Sequence, residues 1–364
     1  MPGRVVLAMS GGVDSSVAAH LLKEQGHDVV GVFMRTGAID VDQERRAKTC
    51  CSAIDAVDAR AVADRLDIPF YALDFERDFS RIMDEFADAY LQGRTPNPCA
   101  LCNIWLKFGK LWSYGKQVGA DFVATGHYAQ IGTAADGGLR VRRGLDGHKD
   151  QSYVLFGLSR EILPRVLFPV GGFEKAAIRA LARDLNLPVH DKPDSQEICF
   201  VPDDDYLAFV RARRPRAERE GAGEIVDVDG GFVAAHDGID RFTIGQRRGL
   251  GVAVGAPRYV VDIEPTTNVV TIGPRAALDR PGLLAEKFNW QGPEPTGPTR
   301  CLAQIRARHT AVPATVEPLP NRRARVIFDA PQSAVTPGQV VALYEANLVL
   351  GGGWIERALD DHAG

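Results

Sequence analysis

Ala8-Met9-Ser10-Gly11-Gly12-Val13-Asp14-Ser15-Ser16 is the stretch that decides the fold. It follows Val5-Val6-Leu7, an apolar run that reads as a buried strand. It precedes Val17-Ala18-Ala19-His20-Leu21-Leu22-Lys23, which reads as a helix closed by Gly26. Strand, glycine turn and helix together turn backbone N–H groups toward an anion. Gly11 and Gly12 remove the Cβ atoms that would block close approach. Ser10, Ser15 and Ser16 add hydroxyl groups. Asp14 is out of place if the loop only attracts phosphate, and makes sense if it helps hold Mg²⁺ beside a polyphosphate.

The loop has no G-x-x-x-x-G-K-[ST] pattern, so it puts no lysine of its own on the terminal phosphates. S-G-G-x-D-S resembles the PP-loop of the N-type ATP pyrophosphatases. That resemblance implies cleavage of ATP between its α and β phosphates and transfer of AMP to an oxygen. Asp28-Val29-Val30-Gly31-Val32-Phe33-Met34 is a second apolar strand, which completes a βαβ unit and predicts a doubly wound parallel α/β sheet. Ligands of such sheets lie at the carboxyl ends of the strands. Met34 ends its strand there, where it either packs on an adenine ring or fills the core.

The chain has 364 residues, enough for two or three domains. Its 45% hydrophobic and 25% charged content is that of a soluble globular protein. No run reaches membrane-span length and residues 1–9 lack signal-peptide form, so a cytoplasmic protein with no membrane partner is expected. A net charge of −4 excludes global attraction to nucleic acid, which leaves local basic patches for any such binding. Six cysteines in this length do not make a secreted disulfide scaffold.

Residues 35–49 read as a loop, Ser52 to Leu66 as a capped helix, and Pro69 to Phe75 as the third strand. The vicinal Cys50-Cys51 pair is either a redox or metal feature or two small packed residues. Phe79 to Gln92 has a good helical face. Gly93 to Asn103 contains Pro96 and Pro98, which predict a rigid loop presenting Cys99 and Cys102 just before a helix from about Ile104. A strand over Phe122–Thr125 ends in Gly126-His127, on the ligand side of the sheet; His127 there is either functional or a buried structural histidine. Segments 155–163 and 175–185 look helical, and a polar loop then carries Cys199. Arginines from Arg211 to Arg219 and glycines from Gly221 to Gly231 mark a boundary. The expected division is a catalytic domain over 1–205, a small β-rich domain over 206–280 and an antiparallel β-barrel over 281–364.

Cys99 and Cys102 form C-x-x-C, a spacing that suits dithiol chemistry, half a zinc site or iron–sulfur ligation. No second C-x-x-C accompanies it. The alternative is sulfur transfer, in which one cysteine carries a sulfur and another resolves it.

With S-G-G-V-D-S-S, G-R-T-P-N-P-x-x-x-C-N, T-G-H-Y-A, D-Q-S-Y, D-S-Q-E-I-C-F-V-P and F-T-I-G-Q-R-R-G-L-G in place, the chain resembles the bacterial tRNA 2-thiouridylase family. G-Q-V-V-A-L-Y near 338–344 extends the likeness toward the C-terminus. The resemblance implies an enzyme that uses ATP to adenylate O2 of the wobble uridine of tRNA and installs sulfur at C2, giving 2-thiouridine, AMP and pyrophosphate. It implies that Cys199 bears a persulfide and that Cys102 is the second catalytic thiol, closing a Cys102–Cys199 disulfide or freeing sulfide. It places ATP on Ala8, Met9, Ser10, Gly11, Gly12, Val13, Asp14, Ser15, Met34 and Gly126. The target base would meet Asn97, Pro98 and Cys99, and tRNA would touch His127, Lys149, Asp150, Gln151, Arg306, Ala307 and Gln339. The implied partners are the anticodon arm of tRNA and a persulfide carrier or cysteine desulfurase as sulfur donor, with the chain itself a monomer.

The chain departs from the pattern in places. Position 99 is aspartate in some members and cysteine here, so an acid/base role does not carry over to it. The same departure permits a [4Fe–4S] cluster held by Cys99, Cys102 and Cys199 with one iron open to sulfide. Ala307 stands where the family pattern has an aromatic residue, and Arg35-Thr36-Gly37 lacks the usual Lys-Asn-Trp-like continuation. An AMP-forming ligase acting on a small molecule would leave the cysteines idle, and a pure RNA- or metal-binding protein would leave the PP-loop idle.

Overall fold

The computed structural model describes residues 2–37, 53–194, 198–215, 221–252 and 255–360. Cys50, Cys51, most of the 35–49 loop and Ser195-Gln196-Glu197 lie outside the described residues. The chain opens with β1 (Arg4–Ala8), α1 (Val13–Glu24), β2 (Asp28–Arg35), α2 (Ala53–Arg65), β3 (Phe70–Asp74) and α3 (Glu76–Leu91). A continuous helical run follows, made of α4 (Pro98–Leu101), a π-helical stretch Cys102–Leu111 and α5 (Trp112–Gln117). Next come β4 (Phe122–Ala124), a hairpin of β5 (Ala129–Thr133) and β6 (Leu139–Arg143), β7 (Val166–Leu167), α6 (Lys175–Asp184) and α7 (Tyr206–Arg213).

Among the described residues, five strands form a parallel sheet in the order β3-β2-β1-β4-β7, as the βαβ reading predicts. Period-two alternation along β1 sends Val5 and Leu7 to one face, against α1, α2 and α6, and Val6 and Ala8 to the other. A second, mixed sheet holds β8 (Gly223–Asp227), β9 (Phe232–His236), β10 (Tyr259–Glu264) and β11 (Val269–Gly273). The last strands are β12 (Asp279–Trp290), β13 (Thr299–Gln304), β14 (Val312–Leu319), β15 (Arg323–Ser333), β16 (Val340–Glu345) and β17 (Leu348–Leu359). They run antiparallel, and the β12–β17 pairing closes them into a six-stranded barrel.

β16 welds the barrel to the parallel sheet. Val340, Ala342 and Tyr344 join Val6 and Val123 in one apolar cluster, while Val341 and Leu343 face the barrel interior. Both faces are covered, which is why the strand reads as the unbroken apolar run Val-Val-Ala-Leu-Tyr. The β5–β6 hairpin, absent from the sequence reading, adds to the same sheet through Leu348 opposite Arg142.

Two expectations fail here for identifiable reasons. Segment 93–103 is not loop throughout. Pro98 takes the first helical position, where its missing N–H costs nothing, and Asn97 Oδ1 accepts the Ala100 N–H at 3.1 Å as a cap. Cys99 and Cys102 therefore lie inside the helical run. Segment 155–163 is not a helix; short 3₁₀ turns, Ser152–Leu155 and Leu163–Arg165, flank it. The carbonyls a helix would use internally go to the barrel: Gln291 Nε2 donates to Leu155 O at 2.9 Å and Phe156 O at 3.2 Å, and Asn289 Nδ2 to Phe156 O and Leu158 O at 2.8 and 3.0 Å.

Gln291 is 1% exposed, and its Oε1 also accepts the Val141 N–H at 2.9 Å. Gln291→Leu keeps the bulk and orphans these buried groups, so it is expected to lower unfolding free energy by about 2–4 kcal/mol. Urea denaturation reads this, and a loss under about 0.5 kcal/mol contradicts the stapling role.

Candidate active site

The Ser10–Ser16 loop is shaped by absence of side chains and by its own hydroxyls. Gly11 has φ +69°, and a Cβ there would lie 2.2 Å from the Asp55 carbonyl oxygen of α2. Gly12 precedes α1 and offers no capping side chain. Ser15 Oγ accepts the Ser10 N–H at 3.2 Å, and Ser15 and Ser16 Oγ donate to Gly12 O at 3.2 and 2.8 Å. Gly126, just past β4, presses on the same helix end: its Cβ would lie 2.8 Å from Ser15 N. The α1 N-terminus, with its amides and positive dipole end, is thus fixed between two other backbones.

Two lysines, Lys175 and Lys192, reach this loop from far along the chain. Lys175 Nζ contacts both Asp14 carboxylate oxygens, at 2.7 and 2.8 Å, and Asp194 at 2.9 Å. The Tyr128 hydroxyl donates to Asp14 at 2.7 Å. Lys149 and Arg179 also hold Asp194, at 2.9 and 2.6 Å. Lys192 Nζ donates to Gly11 O at 3.0 Å and pairs with Asp55 and Asp58 at 2.6 and 2.7 Å. Burial alone would raise the Asp194 carboxyl, but hydrogen bonds from Lys149 and Lys175 outweigh it and hold the group at about 2. Burial, then the nearby Asp14 charge, pushes the Tyr128 hydroxyl far up, so it stays a donor. Sequence reasoning missed Tyr128, Lys175, Arg179, Lys192 and Asp194 as site residues, and gave Lys149 to tRNA contact rather than to Asp194. The available signal was Lys175 opening a helix, where the dipole disfavours a cation unless carboxylates compensate.

The cysteines flank one apolar cluster. Cys102 and Cys199 both pack against the Phe79–Phe86–Phe200 core, as do Met34 and Leu73 from the ends of β2 and β3. Cys99 is exposed, while Cys102 and Cys199 are half-buried. Cys102 is the fifth residue of its helical run rather than a residue ahead of it, so the dipole argument for its thiolate weakens. Pro98 is buried, and the Asn97 side chain is occupied by the helix cap.

The residues expected to touch tRNA are dispersed. Arg306 and Ala307 are exposed on the β13–β14 loop, where Gln304 Nε2 holds both their carbonyls at 3.1 Å. Asp150 is engaged internally: it accepts from Gly144 N, Ser152 N and Ser152 Oγ, and pairs with Arg143 at 2.7 Å. Gln151 Oε1 accepts the Tyr128 N–H at 3.0 Å. His127 is 7% exposed, enclosed by Phe108 and Phe168, with Nδ1 2.6 Å from Thr125 Oγ1. Gln339 bonds the backbone of Thr95 and Pro96.

The fold and the glycine loop define a class: an ATP-binding PP-loop protein carrying a small β-rich domain and a β-barrel. Residues 3–203 match the family described as tRNA methyl transferase HUP domain. Residues 209–274 match its PRC-barrel domain, and 280–355 the aminomethyltransferase beta-barrel domain. Relatives named tRNA-specific 2-thiouridylase MnmA align end to end. The one from Geotalea uraniireducens is 47% identical over 361 residues, covering 98% of this chain and 96% of the relative. Those from Rhodopirellula baltica and Clostridium perfringens are 47% and 46% identical, each covering 98% of this chain and 97% and 99% of the relative. The chain belongs to the MnmA family of tRNA-specific 2-thiouridylases.

Burial, then the Lys107 charge, drives the His127 imidazole well below its ordinary value of 6.5, so it is neutral in the folded state. Its contribution to stability is intact above 6.5 and is lost as pH falls below that value, because the unfolded chain then takes up a proton the folded one refuses. One such group gives a slope of up to about 1.4 kcal/mol per pH unit. His127→Asn is expected to flatten the pH dependence of unfolding free energy between pH 6.5 and 5. Equal slopes in the variant and the parent contradict this.

Proposed function

We propose that this chain is a tRNA-uridine 2-sulfurtransferase that uses ATP to replace O2 of the wobble uridine with sulfur. The observation that carries the reading is the convergence of Cys102, Cys199 and Met34 on one apolar cluster, Met34 lying at the end of β2, the strand paired with the β1 that leads into the glycine loop. The methyl-transfer wording of the matched family describes a different group transfer. A glycine loop at a helix N-terminus and two thiols packed on one cluster in the same domain suit adenylation and sulfur chemistry.

The C2 oxygen of uracil is a poor leaving group, and AMP attached to it is a good one. O2 attacks the α-phosphorus of ATP, and the bond to the bridging oxygen breaks toward pyrophosphate. The α1 N-terminus is aimed at the charge that develops on that leaving group, and Lys175 and Lys192 stand beside it. Asp14 is a hard oxygen donor at the loop, but Lys175 holds both its oxygens, so Mg²⁺ would take Asp14 only where polyphosphate draws Lys175 away, and would there neutralise pyrophosphate charge. The base must leave its stack to reach the site, and Asn97, Pro98 and Cys99 line the helix end that would meet it.

A persulfide carrier or a cysteine desulfurase loads Cys199 as a persulfide. The outer sulfur attacks C2 and AMP departs with the electron pair of the C2–O2 bond. The Cys102 thiolate attacks Cys199 Sγ, the old S–S bond breaks onto the transferred sulfur, and a Cys102–Cys199 disulfide remains for an external thiol to reduce. In the alternative order, Cys102 attacks first and hydrosulfide is the nucleophile. Among the described residues no three His, Cys, Asp or Glu side chains converge to hold a metal ion, so nothing here supports the [4Fe–4S] alternative over the persulfide route. Also among them, no helix is long and apolar enough to cross a membrane. The exposed Arg306-Ala307-Arg308 loop suits contact with RNA phosphates.

Cys199→Ser is expected to abolish 2-thiouridine formation, by at least about a thousandfold, because the atom that carries the sulfur is gone. ATP binding is expected to stay within about threefold, since Cys199 lies outside the phosphate cradle. Mass spectrometry of tRNA nucleosides and calorimetry with ATP read the two, and retained thiolation refutes the assignment.

A further inference from the structure

We propose that Gln339 is a positioning residue for Cys102, acting through the Thr95–Asn97 backbone. The proposal rests on the reading of Cys102 as a reacting thiol. Thr95-Pro96-Asn97-Pro98 contains two residues without an N–H, so this segment cannot be held by a regular backbone ladder. Its carbonyls need side-chain donors from elsewhere, and the barrel supplies them. Gln339 Nε2 donates to Thr95 O at 3.2 Å and to Pro96 O at 3.1 Å, which uses both hydrogens of that amide. The Thr95 N–H donates to Pro337 O at 2.8 Å. Arg94 pairs with Glu286 of β12 at 2.7 Å. Gly338 has φ +88°, and a Cβ there would lie 2.8 Å from Thr95 O, so the two backbones are in direct contact.

The clamp reaches the thiol in two short steps. Asn97, next after Pro96, caps the helical run through Ala100 N, and Cys102 sits two residues further on. The buried Tyr153 hydroxyl, in the turn packed on the barrel, donates to Val340 O beside Gln339 at 2.8 Å. Asn103, the neighbour of Cys102, donates from Nδ2 to Val154 O at 3.1 Å. The Cys102 helix is therefore fastened at its start to the edge of the barrel, and at Asn103, the residue after the thiol, to the turn packed on it. Releasing Gln339 frees the Thr95–Asn97 segment to move relative to Cys199 without disturbing the phosphate cradle.

Three variants test this: Gln339→Ala, the near-isosteric Gln339→Glu, which sets a carboxylate against two carbonyls, and Gly338→Ala. The last pushes the segment away while changing no polar group that RNA could contact. The readouts are the rate of Cys102 alkylation by iodoacetamide as a function of pH, followed by peptide mass spectrometry, the Kd for tRNA, and kcat and KM for thiolation. Variants are compared only if their thermal midpoints show a folded protein. The expected result is a change in Cys102 alkylation of at least fivefold, with kcat lowered by about tenfold to a hundredfold. For Gly338→Ala, which removes no side chain that RNA could touch, the Kd for tRNA is expected to stay within about threefold. Cys102 alkylation within twofold of the parent in every folded variant overturns the proposal, whatever happens to tRNA binding. The alkylation readout needs no turnover, so absence of thiolation in the parent would refute the assigned activity and leave this result standing.

Discussion

No atom can be added at Gly11 or Gly126. One would strike the Asp55 carbonyl and the other the backbone of Ser15, so the first turn of α1 is held between α2 and the end of β4. This close approach is the constraint on which the site depends. It fixes where the helix dipole points and holds Asp14 out toward the segments that bring the lysines. A preorganised positive end stabilises departing pyrophosphate without reorganisation at the moment of reaction. The same packing explains why the loop carries no side chain larger than serine between Met9 and Val13.

Charge is distributed around this constraint rather than within it. Lys175 bridges Asp14 and Asp194, and Lys192 ties Gly11 O to Asp55 and Asp58 of α2, so segments distant in sequence meet at the loop through two ion-pair groups. Each cation has a carboxylate partner in the structure, and an incoming polyphosphate competes with those carboxylates for the lysines. Half-buried pairs of this kind are weak sources of net stability because desolvation offsets attraction. Their value here is placement. The barrel does a parallel task for the sulfur half of the site: its β16 edge packs on the sheet and clamps the proline segment ahead of Cys102.

Local periodicity made part of this legible. The alternation and apolar runs of β1, β2, β3, α3, α6 and most barrel strands are visible within windows of a few residues. The glycine loop and the cysteine motifs pointed to the chemistry before any coordinates. What could not be read is long-range. The β5–β6 hairpin has little pattern of its own and is stabilised by Leu348, some two hundred residues on. Segment 155–163 looked helical because it is apolar, and its carbonyls were claimed by Gln291 and Asn289. Pro98 suggested a loop and instead opened a helix, because Asn97 preceded it. Lys175, Lys192 and Gln339 are ordinary residues in their own neighbourhoods, and only the fold places them on the Ser10–Ser16 loop and the Thr95–Asn97 segment.

The central claim is that ATP is used to make the C2 oxygen leave. Its most direct test is isotopic: tRNA carrying ¹⁸O at O2 of the wobble uridine, incubated with the protein, ATP and a persulfide donor. The account predicts AMP bearing one ¹⁸O for every 2-thiouridine formed, with unlabelled pyrophosphate. Label released to water, or unlabelled AMP alongside 2-thiouridine, would contradict it.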